Sequence, residues 1–202
     1  MSKRLARALL GSLFGLALAL VFVWSDTSTH PTPGSEFLLP AALPAPDFEL
    51  TQHTGEAVRF NDLAAGRTLV LFFGYTHCPD ICPLTMATIG QARELLGDDG
   101  SRVLGVLITV DPERDTPEEL TDYLARFSPG LIALTGSREA LAGVANDYMV
   151  SAEHGEHAVA EPYLVTHTGR SFVVHGGVIP MTFAAGTEAE AMAEGLALIL
   201  QD

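Results

Sequence analysis

The stretch that decides the fold reads LVLFFGYTHCPDICP and spans residues 69–83. Its first five residues form an unbroken apolar run, which is typical of a buried strand. Gly74 and Pro79 mark the turn that follows, and the turn contains the first of the chain's two cysteines, Cys78 and Cys82. A strand that turns into a helix here puts both sulfurs near the first helical turn, on one face. There they can form a disulfide or share a soft metal ion.

The segments around this stretch alternate between strand and helix patterns. We predict buried strands over 68–74, 103–110 and 131–134, and helices over 83–96, from Thr116 onward, over 137–148 and over 188–200. We also predict two hairpins, one over 48–60 and one that pairs 163–166 with 171–175. This order predicts an α/β domain with a thioredoxin-like fold, in which a mixed sheet carries helices on both faces. That fold has its redox cysteines where the first core strand meets the first helix, which is where this pair falls.

The N-terminus carries a membrane-targeting signal. Three basic residues among the first seven precede an uncharged apolar stretch at 8–24. The stretch is near the lower limit of about 17–25 residues for a spanning helix, so a cleaved signal peptide is the alternative. No small-x-small cleavage site follows it, and Trp24 suits a membrane interface, which favours a single membrane anchor over residues 1–24. Under both interpretations, the globular part of the protein is exported.

Residues 25–46 are predicted to form a linker, because they are rich in proline and small polar residues and lack helical or strand periodicity. An ordered arm lying on the domain is the alternative for residues 37–43. Residues 47–202 are long enough for one compact domain with its own core. The formal net charge of −14 argues against nucleic acid and anionic lipid as partners.

The spacing of the cysteines differs from that of the common disulfide oxidoreductases. C-x-x-x-C in place of C-x-x-C separates the sulfurs by about one helical turn. A helix N-terminus stabilises thiolate over thiol, so we expect a lowered pKa for at least one of the two cysteines. Thiolates favour Cu(I) or zinc, and an additional imidazole would suit copper in either common oxidation state. A purely structural disulfide is disfavoured, because so small a loop constrains little of the unfolded chain.

Three motifs resemble the Sco (SenC) family of copper proteins that serve cytochrome c oxidase assembly: GYTHCPDICP at 74–83, VDPERDTPEEL at 110–120 and VTHT at 165–168. The resemblance covers essentially the whole chain after the linker. It implies that Cys78 and Cys82 bind one copper ion, Cu(I) or Cu(II), and also cycle between dithiol and disulfide. It implies that His167 completes the metal site. The family usually has an acidic residue directly before this histidine, whereas this chain has Thr166.

The resemblance also implies roles for acidic residues near the cysteines. Asp80, between the two cysteines, is expected to tune the electrostatics of the site and its partner contacts. Asp111, Pro112 and Asp115 match the family's DPxxDTP segment. By its residues alone, this segment is typical of a turn and helix cap at the C-terminal end of a parallel strand, which is the edge where sites in α/β sheets collect.

Other histidines and methionines are weaker metal-ligand candidates. His154 and His157 form an H-x-x-H pair with acidic neighbours, which we interpret as a solvated loop, with a metal-catching loop as the alternative. His77 adjoins Cys78, and neighbouring side chains diverge, so we interpret it as a rim residue. His175 is interpreted as structural or surface. Three of the five methionines, Met86, Met149 and Met181, are candidate thioether donors, although such side chains usually pack.

Two functions fit the predicted fold and the candidate site residues. The first is a copper metallochaperone for the binuclear copper site of cytochrome c oxidase subunit II, working with other periplasmic copper chaperones. The second would make the protein an enzyme, a thiol-disulfide reductase that uses Cys78 and Cys82 to keep the oxidase's copper-ligand cysteines reduced. We predict the periplasmic side of a bacterial cytoplasmic membrane as the location, because a mitochondrial relative normally carries a longer presequence before its anchor.

Overall fold

The structure is a computed structural model, and it describes residues 32–154, 165–167 and 169–201. For residues 152–154 and 165–167 it describes the backbone alone. The predicted anchor at 1–24 and the first part of the predicted linker lie outside the described residues. No helix in the described part of the chain is long and apolar enough to cross a membrane.

The domain combines ten strands and five α-helices within the described residues. The strands are β1 (Leu38–Pro44), β2 (Glu49–Gln52), β3 (Ala57–Arg59), β4 (Thr68–Gly74), β5 (Val103–Thr109), β6 (Leu131–Thr135), β7 (Ala152–His154), β8 (Val165–His167), β9 (Ser171–His175) and β10 (Val178–Phe183). The helices are α1 (Phe60–Ala64), α2 (Ile81–Leu95), α3 (Pro117–Leu124), α4 (Arg138–Asp147) and α5 (Ala189–Ile199), and short 3-10 helices cover Ser35–Phe37 and Gly97–Arg102.

Eight of these strands form one mixed sheet in the order β1-β10-β9-β4-β5-β6-β2-β3. Strands β4, β5 and β6 run parallel, and the other pairs are antiparallel. All seven residues of β4 are buried, so both faces of the sheet are covered at its centre. The predicted thioredoxin-like mixed sheet is confirmed. Its central strand ends at Gly74, where the cysteine motif begins.

The first strand corrects the predicted linker. Residues 38–44, which we assigned to a linker ending at 46, pair with β10 along the edge of the sheet. The ordered-arm alternative therefore describes this segment. Phe37 extends the contact, since its ring meets that of Phe183 edge-on with centroids 4.9 Å apart. The prolines that made the segment look like a linker are compatible with an edge strand. Proline has no N–H to donate, and the outer side of an edge strand needs no donor.

The predicted hairpin of 163–166 with 171–175 is wrong. Strand β8 pairs with β7, with His167 opposite Ala152, and β9 lies between β4 and β10. The missed signal was the Gly176–Gly177 pair, whose positive φ angles of 57° and 80° form a two-residue hairpin turn. Pro180 hid the strand that follows, because proline argues against a strand interior. His167 therefore belongs to a separate two-stranded ribbon, formed by β7 and β8 and called the ribbon below.

Candidate metal centre

The two cysteines flank the junction between β4 and α2. The cysteine loop, residues 75–80, leaves the end of β4, and the N–H of Val110 donates to the carbonyl of Gly74 (2.9 Å) to tie the ends of β4 and β5 together. Cys78 lies in this loop and is partly exposed, and its N–H donates to the carbonyl of Tyr75 (3.3 Å). Cys82 is the second residue of α2 and is fully buried. The pair thus has one accessible and one inaccessible sulfur.

The sulfur of Cys82 is packed against the end of β4. A Cβ on Gly74 would lie 3.0 Å from the Cys82 sulfur, 2.7 Å from the Phe72 ring and 3.2 Å from Leu107. Only glycine leaves room at this position without displacing these side chains. Packing in the core therefore fixes the position of the Cys82 sulfur.

No disulfide joins Cys78 and Cys82, and the Cys78 thiol is one of the groups that act on the Cys82 thiol. Burial raises the pKa of the Cys82 thiol, and negative charge on Cys78 or Asp115 raises that pKa further. A hydrogen bond with the backbone of Tyr75 opposes this rise. The lowered pKa that we expected from the helix N-terminus does not hold for Cys82, because desolvation outweighs the favourable dipole.

A buried carboxylate braces the cysteine loop. Asp115 is fully buried, and it accepts hydrogen bonds from the N–H of Thr76 (3.1 Å), the hydroxyl of Thr76 (2.6 Å) and the hydroxyl of Thr109 (2.6 Å). Burial raises the pKa of Asp115, although these hydrogen bonds pull that pKa down. The carboxylate thereby joins the start of the cysteine loop to the end of β5.

The rest of the segment from Asp111 to Thr116, called the bracing segment below, is also structural. Asp111 is buried and forms an ion pair with Arg114, whose guanidinium lies 5.7 Å from the centre of the Tyr75 ring. Thr116 accepts a hydrogen bond from the N–H of Glu119 (3.2 Å) and caps α3. The turn and helix cap read from the sequence are confirmed, and the segment also holds the cysteine loop.

Asp111 and Asp115 were candidates from the sequence, but three other polar residues that hold the loop were not. Thr76 and Thr109 are the missed members of this network, and Arg114 is the third. A signal was available, because Thr109 lies near the end of the strand predicted over 103–110 and Thr76 follows the end of the strand predicted over 68–74. Those ends meet at one edge of the sheet.

Several candidate residues lie at the margins of the centre or away from it. Asp80 is exposed directly before α2, and its side chain does not cap the helix. His77 is also exposed, and its Nδ1 lies 2.9 Å from the Thr76 hydroxyl, which is a rim position. His175 bonds to Thr68 (2.8 Å) at the opposite end of β4, about 20 Å along the strand. Of the three candidate methionines, Met86 and Met181 are fully buried and Met149 is exposed.

The ribbon that carries His167 returns to the main sheet beside the cysteines. Gly169 follows His167 by two residues, and a Cβ on it would lie 3.8 Å from Cγ1 of Ile81, the residue before Cys82. His157 and the side chains of His154 and His167 lie outside the described part. Among the described side chains, no group of three or more His, Cys, Asp or Glu could hold a metal ion.

Comparison with known proteins connects this architecture to one family. The family model described as SCO1/SenC matches residues 39–201. The chain is 39% identical over 123 residues to the human "Protein SCO1 homolog, mitochondrial", a match that covers 60% of this chain and 40% of that protein. The chain spans about half the length of the curated relatives that it matches.

Solved structures give the same result. Copper-bound ScoI of Bradyrhizobium japonicum has a TM-score of 0.70 and 33% identity, and the match covers 78% of this chain and 99% of that one. Apo Sco1 of Thermus thermophilus has a TM-score of 0.72 and 34% identity, with 86% of this chain and 98% of that one covered. The likeness in both cases extends over nearly the whole of the solved domain.

Proposed function

Because the chain belongs to the SCO1/SenC family, we propose that it is a copper metallochaperone that assists maturation of the binuclear copper site of cytochrome c oxidase subunit II. One observation carries the proposal: a buried thiol, Cys82, four residues along the chain from a more accessible one, Cys78, at the edge of a rigid sheet. Copper is the cargo in this proposal, one ion per domain. Similar proteins of known structure contain copper, including ScoI of Arabidopsis thaliana at 30% identity.

The donor set fits copper. Two adjacent sulfur ligands are soft and favour Cu(I), and an imidazole from His167 would extend binding to Cu(II). The closeness of Gly169 to Ile81 supports His167 as that third ligand, because a Cβ on Gly169 would lie 3.8 Å from Cγ1 of Ile81 and two residues of chain reach at most about 7 Å. Binding must release the thiol protons, and the raised pKa of Cys82 makes copper affinity increase with pH.

The partly exposed sulfur of Cys78 provides a path for transfer. An incoming thiolate of the oxidase would reach the metal from the side of Cys78, since Cys82 has no solvent-accessible surface. For this transfer we propose that residues 1–24 anchor the chain in the cytoplasmic membrane of a bacterium, with the domain on the periplasmic side. The oxidase would then lie in the same membrane.

A second function is favoured by the same asymmetry. A dithiol with one accessible sulfur and one buried sulfur suits thiol-disulfide exchange, in which the accessible sulfur attacks and the buried one resolves the mixed disulfide. In this alternative, Cys78 and Cys82 reduce the copper-ligand cysteines of the oxidase. Two thiols are oxidised to one disulfide in the protein while one disulfide of the oxidase is reduced to two thiols.

His167→Ala separates the two functions. We expect copper affinity to fall by more than about tenfold, because one of three ligands is lost, while the Cys78/Cys82 couple keeps its midpoint potential. The measurement is copper titration of the full chain with spectroscopy of the Cu(II) form, beside a redox titration. His157→Ala is the matched control, because it tests the H-x-x-H alternative and should leave copper affinity unchanged. Unchanged affinity and stoichiometry in His167→Ala would refute the three-ligand site.

A further inference from the structure

His77 is held by a chain of hydrogen bonds that ends at a buried carboxylate. The hydroxyl of Thr76 donates to Oδ1 of the fully buried Asp115 (2.6 Å), and the same hydroxyl oxygen lies 2.9 Å from Nδ1 of His77. The N–H of Thr76 also donates to Asp115 (3.1 Å), so that both the backbone and the side chain of Thr76 are fixed. The side chain of His77 is 49% exposed, on the rim of the cysteine loop.

The proton positions in this chain of hydrogen bonds follow from what each group can donate. The described partners of the Asp115 carboxylate are all donors, namely the N–H and the hydroxyl of Thr76 and the hydroxyl of Thr109 (2.6 Å). A hydroxyl has one proton, and Thr76 gives its proton to Asp115. The Thr76 oxygen can therefore only accept from the imidazole, which places the proton of the neutral ring on Nδ1. Nε2 of His77 then carries a free lone pair.

His53, remote from the cysteine loop, provides the contrast. Its Nδ1 accepts a hydrogen bond from the N–H of Ala133 (3.3 Å), so the neutral ring carries its proton on Nε2. The one lone pair of this ring is already used, and binding a metal there would break the contact with the backbone. His77 has the opposite tautomer, and its Nε2 has no hydrogen-bond partner among the described residues. The histidine beside the cysteines is thus the one that presents a free nitrogen.

We infer that His77 is a transfer ligand of the copper site, whose unprotonated Nε2 takes up the copper ion first and passes it to the sulfur of Cys78. This inference rests on the proposed function. A neutral imidazole nitrogen is a good ligand for copper. Histidines that bind metals almost always donate the other ring N–H to a carboxylate or a similar acceptor, which fixes the tautomer and the orientation of the ring. Here the hydroxyl of Thr76 relays that contact to Asp115.

The position of His77 suits transfer rather than permanent binding. The Cα atoms of neighbouring residues are about 3.8 Å apart, so the metal can pass from Nε2 to the partly exposed sulfur of Cys78 by rotation of the two side chains. Adjacent side chains diverge, which keeps His77 out of the final site with the buried Cys82. The copper ion keeps its oxidation state in this exchange. A copper–sulfur bond replaces the copper–nitrogen bond, and the Cys78 thiol loses its proton to solvent.

His77→Gln in the full chain tests the inference, and His53→Asn is the matched control, because an amide oxygen can replace the Nδ1 acceptor of His53. Stopped-flow mixing with glycine-bound Cu(II) measures the rate of uptake through the sulfur-to-copper charge-transfer band. For His77→Gln we expect uptake to be about tenfold slower, because the metal is no longer held beside Cys78, with an equilibrium affinity within about twofold of that of the parent protein. His53→Asn should keep both values. An unchanged uptake rate in His77→Gln, or an affinity that falls as much as the rate, would overturn the inference.

Proton–nitrogen correlation NMR of the copper-free protein tests the tautomer without any metal. The proton of neutral His77 should be on Nδ1 and that of His53 on Nε2, and Thr76→Val should return His77 to the Nε2–H form that free histidine favours. A proton on Nε2 of His77 in the parent protein, or an unchanged tautomer in Thr76→Val, refutes the inference.

A parent protein that does not bind copper would mean that the proposed function fails, and Cd(II) then decides the role of His77. Cd(II) takes the same thiolates, so its uptake by the parent protein and by His77→Gln can be compared in the same way. Slower Cd(II) uptake by His77→Gln supports the transfer ligand, and equal uptake refutes it.

Discussion

Cys82 and His167 lie in two parts of the molecule that differ in how extensively each part is packed and paired with the rest of the fold. Cys82 lies in the first turn of the fifteen-residue helix α2, with its sulfur packed on the central strand of an eight-stranded sheet. His167 ends β8, a three-residue strand that pairs, within the described residues, with β7 alone. The cysteine part of the site is therefore built into the core, whereas the histidine part depends on a short local pairing.

This difference separates the two chemistries that we propose for the site. Thiol-disulfide exchange needs the cysteines alone, and their geometry is fixed by β4, α2 and the bracing segment. In the three-ligand site that we propose, tight copper binding also needs the imidazole of His167, whose position depends on the ribbon. A change in the core should affect both activities together, whereas a change in the ribbon should affect copper binding alone.

The largest effect is expected from the cysteines themselves. Cys82→Ser and Cys78→Ser should each weaken copper binding by more than about 100-fold and abolish the disulfide couple, because a hydroxyl is neither a soft ligand nor redox-active. Copper titration and a redox titration of each variant measure the two losses, and circular dichroism checks that each variant is folded. A single variant that still reduced a substrate disulfide catalytically would refute the pair mechanism.

The bracing segment should produce the next largest effect. Asp115→Asn keeps the shape of the side chain but replaces one acceptor oxygen with a donor, which conflicts with the donors of Thr76 and Thr109. We expect a loss of about 1–3 kcal/mol in the free energy of unfolding at neutral pH, measured by chemical denaturation. The matched control is Asp99→Asn, since Asp99 pairs with Arg102 on the surface (3.2 Å) and should contribute less than about 1 kcal/mol.

The pH dependence of this difference gives a second readout for the same variant. The pKa of Asp115 is raised in the folded protein, so between its unfolded and folded pKa values the native state binds the additional proton. Lowering the pH through this window stabilises the parent protein, and Asp115→Asn lacks this gain. The stability gap between them should widen on acidification. A gap that narrowed would mean that the hydrogen bonds from Thr76 and Thr109 outweigh desolvation.

The core part of the site was open to prediction from the sequence because its signals are local and agree with one another. The apolar run of β4, the turn residues after it and the spacing of the cysteines all indicate a strand-to-helix junction, and the structure has one. The cap at Thr116 was also readable, because a hydroxyl, a proline and two acids in succession are a strong helix start. Each of these features depends on residues within one turn or strand.

What could not be predicted depends on partners far apart in sequence. The pairing of β1 with β10 joins residues about 140 positions apart, and nothing in a proline-rich segment indicates it. A copper-binding domain cut at Asp47 would lack this edge strand. The ribbon was assigned to the wrong partner because short strands have weak periodicity.

The smallest effect should come from Gly169→Ala, and Gly74→Ala provides the comparison in the core. Gly169→Ala places a Cβ 2.9 Å from that of Ala185 and so displaces the chain beside the ribbon, while Ile81 at 3.8 Å still has room. We expect copper affinity to fall by a few-fold, with the midpoint potential of the cysteine couple unchanged. Gly74→Ala is the counterpart in the core, because its Cβ would press on Phe72 and on the sulfur of Cys82.

Gly74→Ala should lower the free energy of unfolding by about 1–3 kcal/mol through overpacking and shift both the potential and the copper affinity. Thermal melting, redox titration and copper titration of the two variants side by side measure the contrast. If Gly169→Ala shifted the potential as much as Gly74→Ala does, the ribbon would be coupled to the dithiol, and the independence of the two halves would be wrong. A shift in copper affinity alone means that the ribbon positions a ligand and leaves the sulfur chemistry to the core.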